Sequence, residues 1–329
     1  MGLRRGSLAV AGTVLVLTAM AAAPAAATWS IVGADPKTGE VGVAIASCVG
    51  FETALAPTLV PGKGAAVSQA GLYKESGAAI VKGLEDGQSA DQVIAGLTQP
   101  SFDQEVPLRQ YGVVTLPSGV ANFTGSEVPA TAGAVSNADK TASVQGAAVE
   151  SDAVLAESLR AFDTTSGNLG EKLVAGLNAG NKAGGDADCV EDANAASLLV
   201  ANKDELPYSQ TNRLPDQFQA FVYAIYGRDF AQAPPQGNVP STYISVVTGQ
   251  GDNAVVRLSE TYAKVKDSPG PIKQRIVAPS ASGGDATGFL ARVGFVVLVL
   301  GAIAVAVVVV LMVRRAAGKA HRPISEKEQ

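Results

Sequence analysis

From Val293 to Val313, 21 consecutive residues are apolar or glycine, and no other stretch of the chain constrains its fold as strongly. A helix of about 20 such residues crosses the hydrocarbon core of a bilayer, so residues 289–313 are expected to form one transmembrane helix. Arg314, Arg315, Lys319 and Arg322 follow it directly, and basic residues beside a span stay on the cytoplasmic side. The tail 314–329 is therefore expected inside the cell. The other end of the chain agrees with this orientation. Arg4 and Arg5, an apolar run from Leu8 to Ala22 and small residues up to Ala27 have the three parts of a secretory signal, residues 1–27. Ala25 and Ala27 suit cleavage before Thr28, and the alanine-rich run also permits cuts after Ala23 or Ala25. The expected product is a single-pass protein of the cell membrane, with its partner surface, the membrane, at one end and an extracellular domain at the other.

The exported part, 28–267, is long enough for one domain with a substantial core. Residues 268–288, rich in Pro, Ser and Gly and without an apolar period, read as a stalk. Eight of the 25 basic residues and two of the 30 acidic ones lie outside Thr28–Gly288, leaving 17 and 28 there, a net charge of −11. Such a domain does not match a nucleic-acid partner, whose phosphates require a basic face.

The single histidine, His321, falls in the tail. The exported domain thus has no imidazole for a Ser-His-Asp or Cys-His arrangement, and it lacks the commonest zinc ligand. No cofactor and no metal site are expected. Acyl-transfer chemistry here would need a lysine, a carboxylate or a free α-amine as its base. Cys48 and Cys189, the only cysteines, are expected to pair as a disulfide in an oxidising compartment, with a buried free thiol as the alternative.

Trp29 to Gly33 and Val41 to Ser47 flank a turn containing Asp35, Pro36 and Gly39, which predicts a hairpin. Ala65 to Gln69 resembles a third strand. Ser76 to Leu84 and Ser89 to Leu97 read as helices, the second opened by Ser89 and Gln92 at capping-box spacing. Tyr111 to Leu116 and Val120 to Phe123 form a second hairpin around Pro117-Ser118-Gly119. Helices are expected at Ser151 to Phe162, Leu169 to Leu177 and Ala254 to Val265, and strands at Ala195 to Ala201 and Tyr243 to Val247. Asn202 to Pro240 matches no element. The order predicts a layered α+β domain with largely antiparallel sheets.

Several of these segments together resemble the DUF1028 family, a bacterial group without an established function. They are Thr28-Trp29-Ser30-Ile31-Val32, Asp35 to Glu40, Gly42 to Ser47 and Ala66 to Ala70. Arg109-Gln110, Thr124-Gly125, Val144-Gln145-Gly146, Ala183-Gly184-Gly185-Asp186 and Leu198-Leu199-Val200 follow in order. The resemblance implies a four-layer αββα sandwich of antiparallel sheets, like that of the N-terminal nucleophile (Ntn) hydrolases. It also implies a threonine at the start of the functional chain, which here the signal cut would expose as Thr28. The chain departs from the family at Ala147, at Ala187-Asp188-Cys189, at Asn194-Ala195 and through an insertion at 202–240, and these departures carry no substrate chemistry across.

An N-terminal threonine supplies both nucleophile and base, because its own α-amine accepts the hydroxyl proton. The expected function is amide-bond hydrolysis of a small amide-type or cell-envelope substrate by Thr28. The alternative is a non-catalytic surface binding module with the same fold. Ser47, Gln69, Arg109 and Asp186 are the candidates to orient the amine or bind substrate. Against this stand bland roles: Asp186 capping a turn, Arg109 paired with Asp103 or Glu105, and Ser47 and Ser30 as small strand residues.

Overall fold

Along the first strand, Trp29 and Ile31 alternate with Thr28, Ser30 and Val32, and this period of two sends the two sets to opposite faces of a sheet. All five are buried, so the strand has protein on both sides. A computed structural model of the chain describes residues 27–277 apart from 49–51, 74, 130, 188, 190–191, 210–237 and 249–250. The expected signal segment before Ala27, the apolar run 293–313, the basic tail and most of 202–240 lie outside the described residues. Among the described residues no helix is long and apolar enough to cross a membrane.

The strands are β1 (Thr28–Ala34), β2 (Val41–Ser47), β3 (Pro57–Val60), β4 (Gly64–Ala70), β5 (Arg109–Thr115) and β6 (Gly119–Thr124). They continue with β7 (Gly133–Ser136), β8 (Ala142–Ala147), β9 (Ala195–Ala201), β10 (Tyr208–Ser209), β11 (Thr242–Val247) and β12 (Ile272–Val277). The described helices are α1 (Ser76–Glu85), α2 (Ala90–Leu97), α3 (Asp152–Thr164), α4 (Leu169–Lys182) and α5 (Ala254–Val265). The result is a mixed α+β fold with two sheets. One has the order β12-β11-β9-β2-β1-β8-β7 and the other β10-β3-β4-β5-β6. Pairing is antiparallel except between β11 and β12, which are parallel because α5 returns the chain between them.

Three hydrophobic clusters follow from strand parity. Trp29, Ile31, Ala44 and Leu198 meet Phe162, Leu173, Leu177 and Leu258 of α3, α4 and α5 on one face of the larger sheet. Val32, Val43, Ile45 and Leu199 meet Leu59, Val67 and Val114 between the sheets. Ala66, Tyr111 and Val113 meet Ile80, Leu84, Val93 and Leu97 of α1 and α2 on the outer face of the smaller sheet.

Local signals act as expected at the helix starts. Ser89 caps α2 by accepting from the Gln92 backbone while Gln92 Oε1 accepts from the Ser89 N–H at 2.9 Å. Asn168 and Glu171 form the same reciprocal box at α4. The expectation of a stalk from residue 268 is corrected: Ile272–Val277 is strand β12, paired in register from Thr242↔Ile272 to Val247↔Val277. Its sequence, IKQRIV, carries three polar or charged residues in the middle, as suits an edge strand and as hides it from a search for apolar runs. Strands β3, β7, β8 and β10 were also not expected; they are short or rich in Ser, Gly and Ala.

Candidate functional site

The parity that sends Trp29 and Ile31 toward the helices sends Thr28 and Ser30 into the space between the sheets. There the filling changes character along the strands. Val32, Val43 and Ile45 belong to the apolar cluster, whereas the inward positions beyond them are Thr28, Ser30, Ser47, Gln69, Gln110 and Gln145, all buried. Unpaired polar groups at such depth are costly, so each needs a partner, and the structure supplies a chain of them. Ser30 Oγ donates to Gln69 Oε1 at 2.6 Å, and Gln69 Nε2 donates to Gln110 Oε1 at 2.7 Å. Gln110 Nε2 donates to the Gly146 carbonyl at 2.8 Å, and Gln145 Nε2 donates to Ser30 Oγ at 2.8 Å. Gly112 of β5 makes room for this network: a Cβ there would lie 1.9 Å from Gln145 Oε1.

Thr28 begins β1 at the open end of this polar region. Its Oγ is 3.0 Å from Ser47 Oγ, and Ser47 Oγ donates to the Ala27 carbonyl at 2.6 Å. Since a hydroxyl has one proton, Thr28 is the donor of the pair. Gln69 Nε2 lies 3.4 Å from the Thr28 carbonyl. Thr28, Ser47, Gln69 and Ala70 line a narrow cavity of about 50 Å³ together with Glu52 and Leu72, room for a few water molecules.

Glu52 is the residue that sequence reasoning missed. It is 2 % exposed; Tyr243 of β11 donates its hydroxyl to one carboxylate oxygen, and Arg275 of β12 is 3.4 Å from the other. Burial, reinforced by Tyr208 and Glu52, pushes the Tyr243 hydroxyl far above its ordinary value, so it remains a donor. Both partners are nearly 200 residues or more away along the chain, at separations of 191 and 223, and Arg275 lies in the segment read as stalk.

Ser47 and Gln69 therefore lie beside Thr28, while Asp186 is one step removed. Its Oδ2 accepts from the Cys48 N–H at 3.0 Å, holding the backbone immediately after Ser47. Cys48 is also bonded to Cys189, as expected, and its carbonyl accepts from Asn194 Nδ2 at 2.7 Å. Asp186 lies beside both sulfurs, which as a disulfide offer no thiolate to a metal.

Arg109 is not bonded to Thr28; it makes the ion pairs named above as its alternative role. Nε donates to Asp103 at 2.7 Å and Nη2 to Glu105 at 2.7 Å. Burial opposes the guanidinium charge, but the bonds to Asp103 and Glu105 outweigh it and raise the pKa above its ordinary value. Arg109 lines a separate cleft of about 440 Å³ with Leu72, Tyr73 and Phe102.

The family model for DUF1028, a family of unknown function, matches residues 28–215. Among solved structures, the crystal structure of protein SPO2555 from Silicibacter pomeroyi, also described by DUF1028, is similar at 25% identity and a TM-score of 0.49, covering 64% of this chain and 92% of that one. No curated protein matches the chain significantly.

Proposed function

The chain belongs to the DUF1028 family, whose function is unknown, and on that premise we propose that it is an exported, membrane-anchored amide hydrolase whose nucleophile is Thr28. Its fold in this reading is the αββα sandwich of the Ntn hydrolases. Removal of residues 1–27 on export frees the Thr28 amine, and Val293–Val313 keeps the domain at the outer membrane surface. The observation that carries the proposal is the hydrogen-bonded row Thr28 Oγ, Ser47 Oγ, Ala27 carbonyl. The peptide bond to be cut lies at the same point as the hydroxyl to be activated, so the new amine emerges within reach of Ser47 and beside Thr28 Oγ.

The chemistry then balances with this chain's own groups. The amine, with an ordinary pKa of about 7.7–8.0, takes the Thr28 hydroxyl proton as Oγ attacks the carbonyl carbon. The C–N bond breaks, the leaving amine receives that proton, and an ester on Thr28 remains for water to hydrolyse by the reverse transfers. Ser47 and Gln69 hold the threonine in place, and Asp186 with the disulfide fixes Cys48, the residue that follows Ser47.

Treatment of the mature protein with a hydroxyl-directed electrophile, such as a β-lactone, is expected to give one covalent adduct, located to Thr28 by mass spectrometry and absent in Thr28→Ala. The narrowness of the cavity favours a second reading, a surface module that binds without reacting. An unmodified Thr28 after exhaustive treatment selects that reading.

A further inference from the structure

The cleft holding Arg109 is separated from the Thr28 cavity only by the chain leaving β4. Ala70 lines the Thr28 cavity and pairs across the strands with Arg109, which lines the cleft; Leu72 lines both. Ala70 has a φ of 66°, a left-handed conformation that costs a non-glycine residue energy and clusters at functional sites. Beyond it, Leu72 stands between the two spaces and Tyr73 faces the cleft.

The lining of the cleft specifies a ligand chemistry. Tyr73 and Phe102 meet edge to face at 5.3 Å, and the Arg109 guanidinium stands 5.7 Å from the Tyr73 ring centre. Arg109 is 6 % exposed. It commits Nε and Nη2 to Asp103 and Glu105, and among the described residues no acceptor is bonded to Nη1. That nitrogen lies beside Gly71, where a Cβ would come within 2.4 Å of it, so a side chain at 71 would displace it. An anionic ligand would face two carboxylates against one guanidinium, and the place over the Tyr73 ring where a cation would sit is already held by the Arg109 guanidinium. An uncharged group with a ring to stack and a carbonyl to accept from Nη1 meets neither penalty.

We propose that this cleft is the substrate subsite of the Thr28 centre and takes the uncharged aromatic side chain and flanking carbonyl of a peptide-like amide. The proposal rests on reading Thr28 as the reacting group, with the scissile amide passing over Leu72 into the narrow cavity. Its area of aromatic contact supplies the binding that a cavity of about 50 Å³ lacks.

Calorimetric titration of the full-length protein in detergent with N-acetyl-phenylalaninamide tests this. Saturable binding is expected. N-acetyl-glutaminamide in place of the aromatic probe, and N-acetyl-glutamate α-amide, are each expected to bind at least about tenfold more weakly, a difference of one decade in Kd. Tyr73→Ala is expected to weaken the aromatic probe by about tenfold, and if that variant does not fold, the ranking of the probes on the unaltered protein decides. Absence of saturable binding, or equal binding of the acidic and aromatic probes, overturns the subsite. Binding does not require Thr28 to react: a protein that binds the probe but forms no electrophile adduct keeps the subsite and loses the nucleophile, and one that forms the adduct but ignores the probe does the opposite.

Discussion

The layer between the two sheets has two halves built from the same strands. In one, Val32, Val43, Ile45, Leu59, Val67 and Val114 meet side chain to side chain. In the other, a few ångströms further along β1, β2, β4 and β5, the inward positions are Thr28, Ser30, Ser47, Gln69 and Gln110, equally buried. The apolar half accounts for itself, since burying each aliphatic side chain stabilises the fold by roughly 1.5–3 kcal/mol. The polar half does not. Its hydrogen bonds replace those made to water and contribute only about 0.5–1.5 kcal/mol each, and an apolar filling of the same shape would hold the sheets together at least as well. The difference teaches that the glutamine and serine positions answer to something other than stability, and they converge on the residue where β1 begins.

That contrast can be broken at several points. Leu59→Ala in the apolar half is expected to destabilise the protein by about 2–5 kcal/mol, measured by denaturant unfolding; a loss below 1 kcal/mol, on the same scale, would mean that this half is not the load it is taken to be. Gln145→Ala, which removes the donor to Ser30 Oγ and opens the network, is expected to cost about 1–3 kcal/mol. An effect as large as that of Leu59→Ala would remove the distinction between the halves. The smallest effect concerns alkaline pH and Tyr243, whose ring lies in the apolar half while its hydroxyl reaches Glu52.

Tyr243 and Tyr262 are both raised above the ordinary value of 10.0, chiefly by burial, Tyr262 to about 12. The folded state therefore keeps protons that the unfolded chain releases, so the two tyrosines leave stability unchanged below about pH 10 and lower it as pH climbs from there toward 12 and beyond. The paired Tyr243→Phe and Tyr262→Phe substitutions should flatten that decline, followed by phenolate absorbance and unfolding together. Phenolate formation by either residue in folded protein below pH 10 would contradict the assignment.

Much of the fold was legible in the sequence because the signals were local. The alternation in Trp29–Gly33 and Val41–Ser47, the capping box at Ser89 and the lone cysteine pair each depend on residues near one another or on a compartment rule. The polar half was legible only in part: Ser47 and Gln69 stood out beside Thr28, but Gln110 and Gln145 did not. An inward parity shared by Ser30, Gln69, Gln110 and Gln145 on otherwise apolar strands is the signal that could have found them. Glu52 and Arg275 were not legible, since their meeting depends on β12 closing the edge of the larger sheet, 223 residues along the chain. Arg109 shows the reverse case, a residue whose local ion pairs with Asp103 and Glu105 could be anticipated and whose cleft could not.

The nucleophile exists only if the mature chain begins at Thr28. Intact-mass and N-terminal peptide mass spectrometry of the protein purified from its native cells is expected to show a single start at Thr28 with an unblocked amine. A mature chain that begins anywhere else, or that retains Ala27, contradicts it.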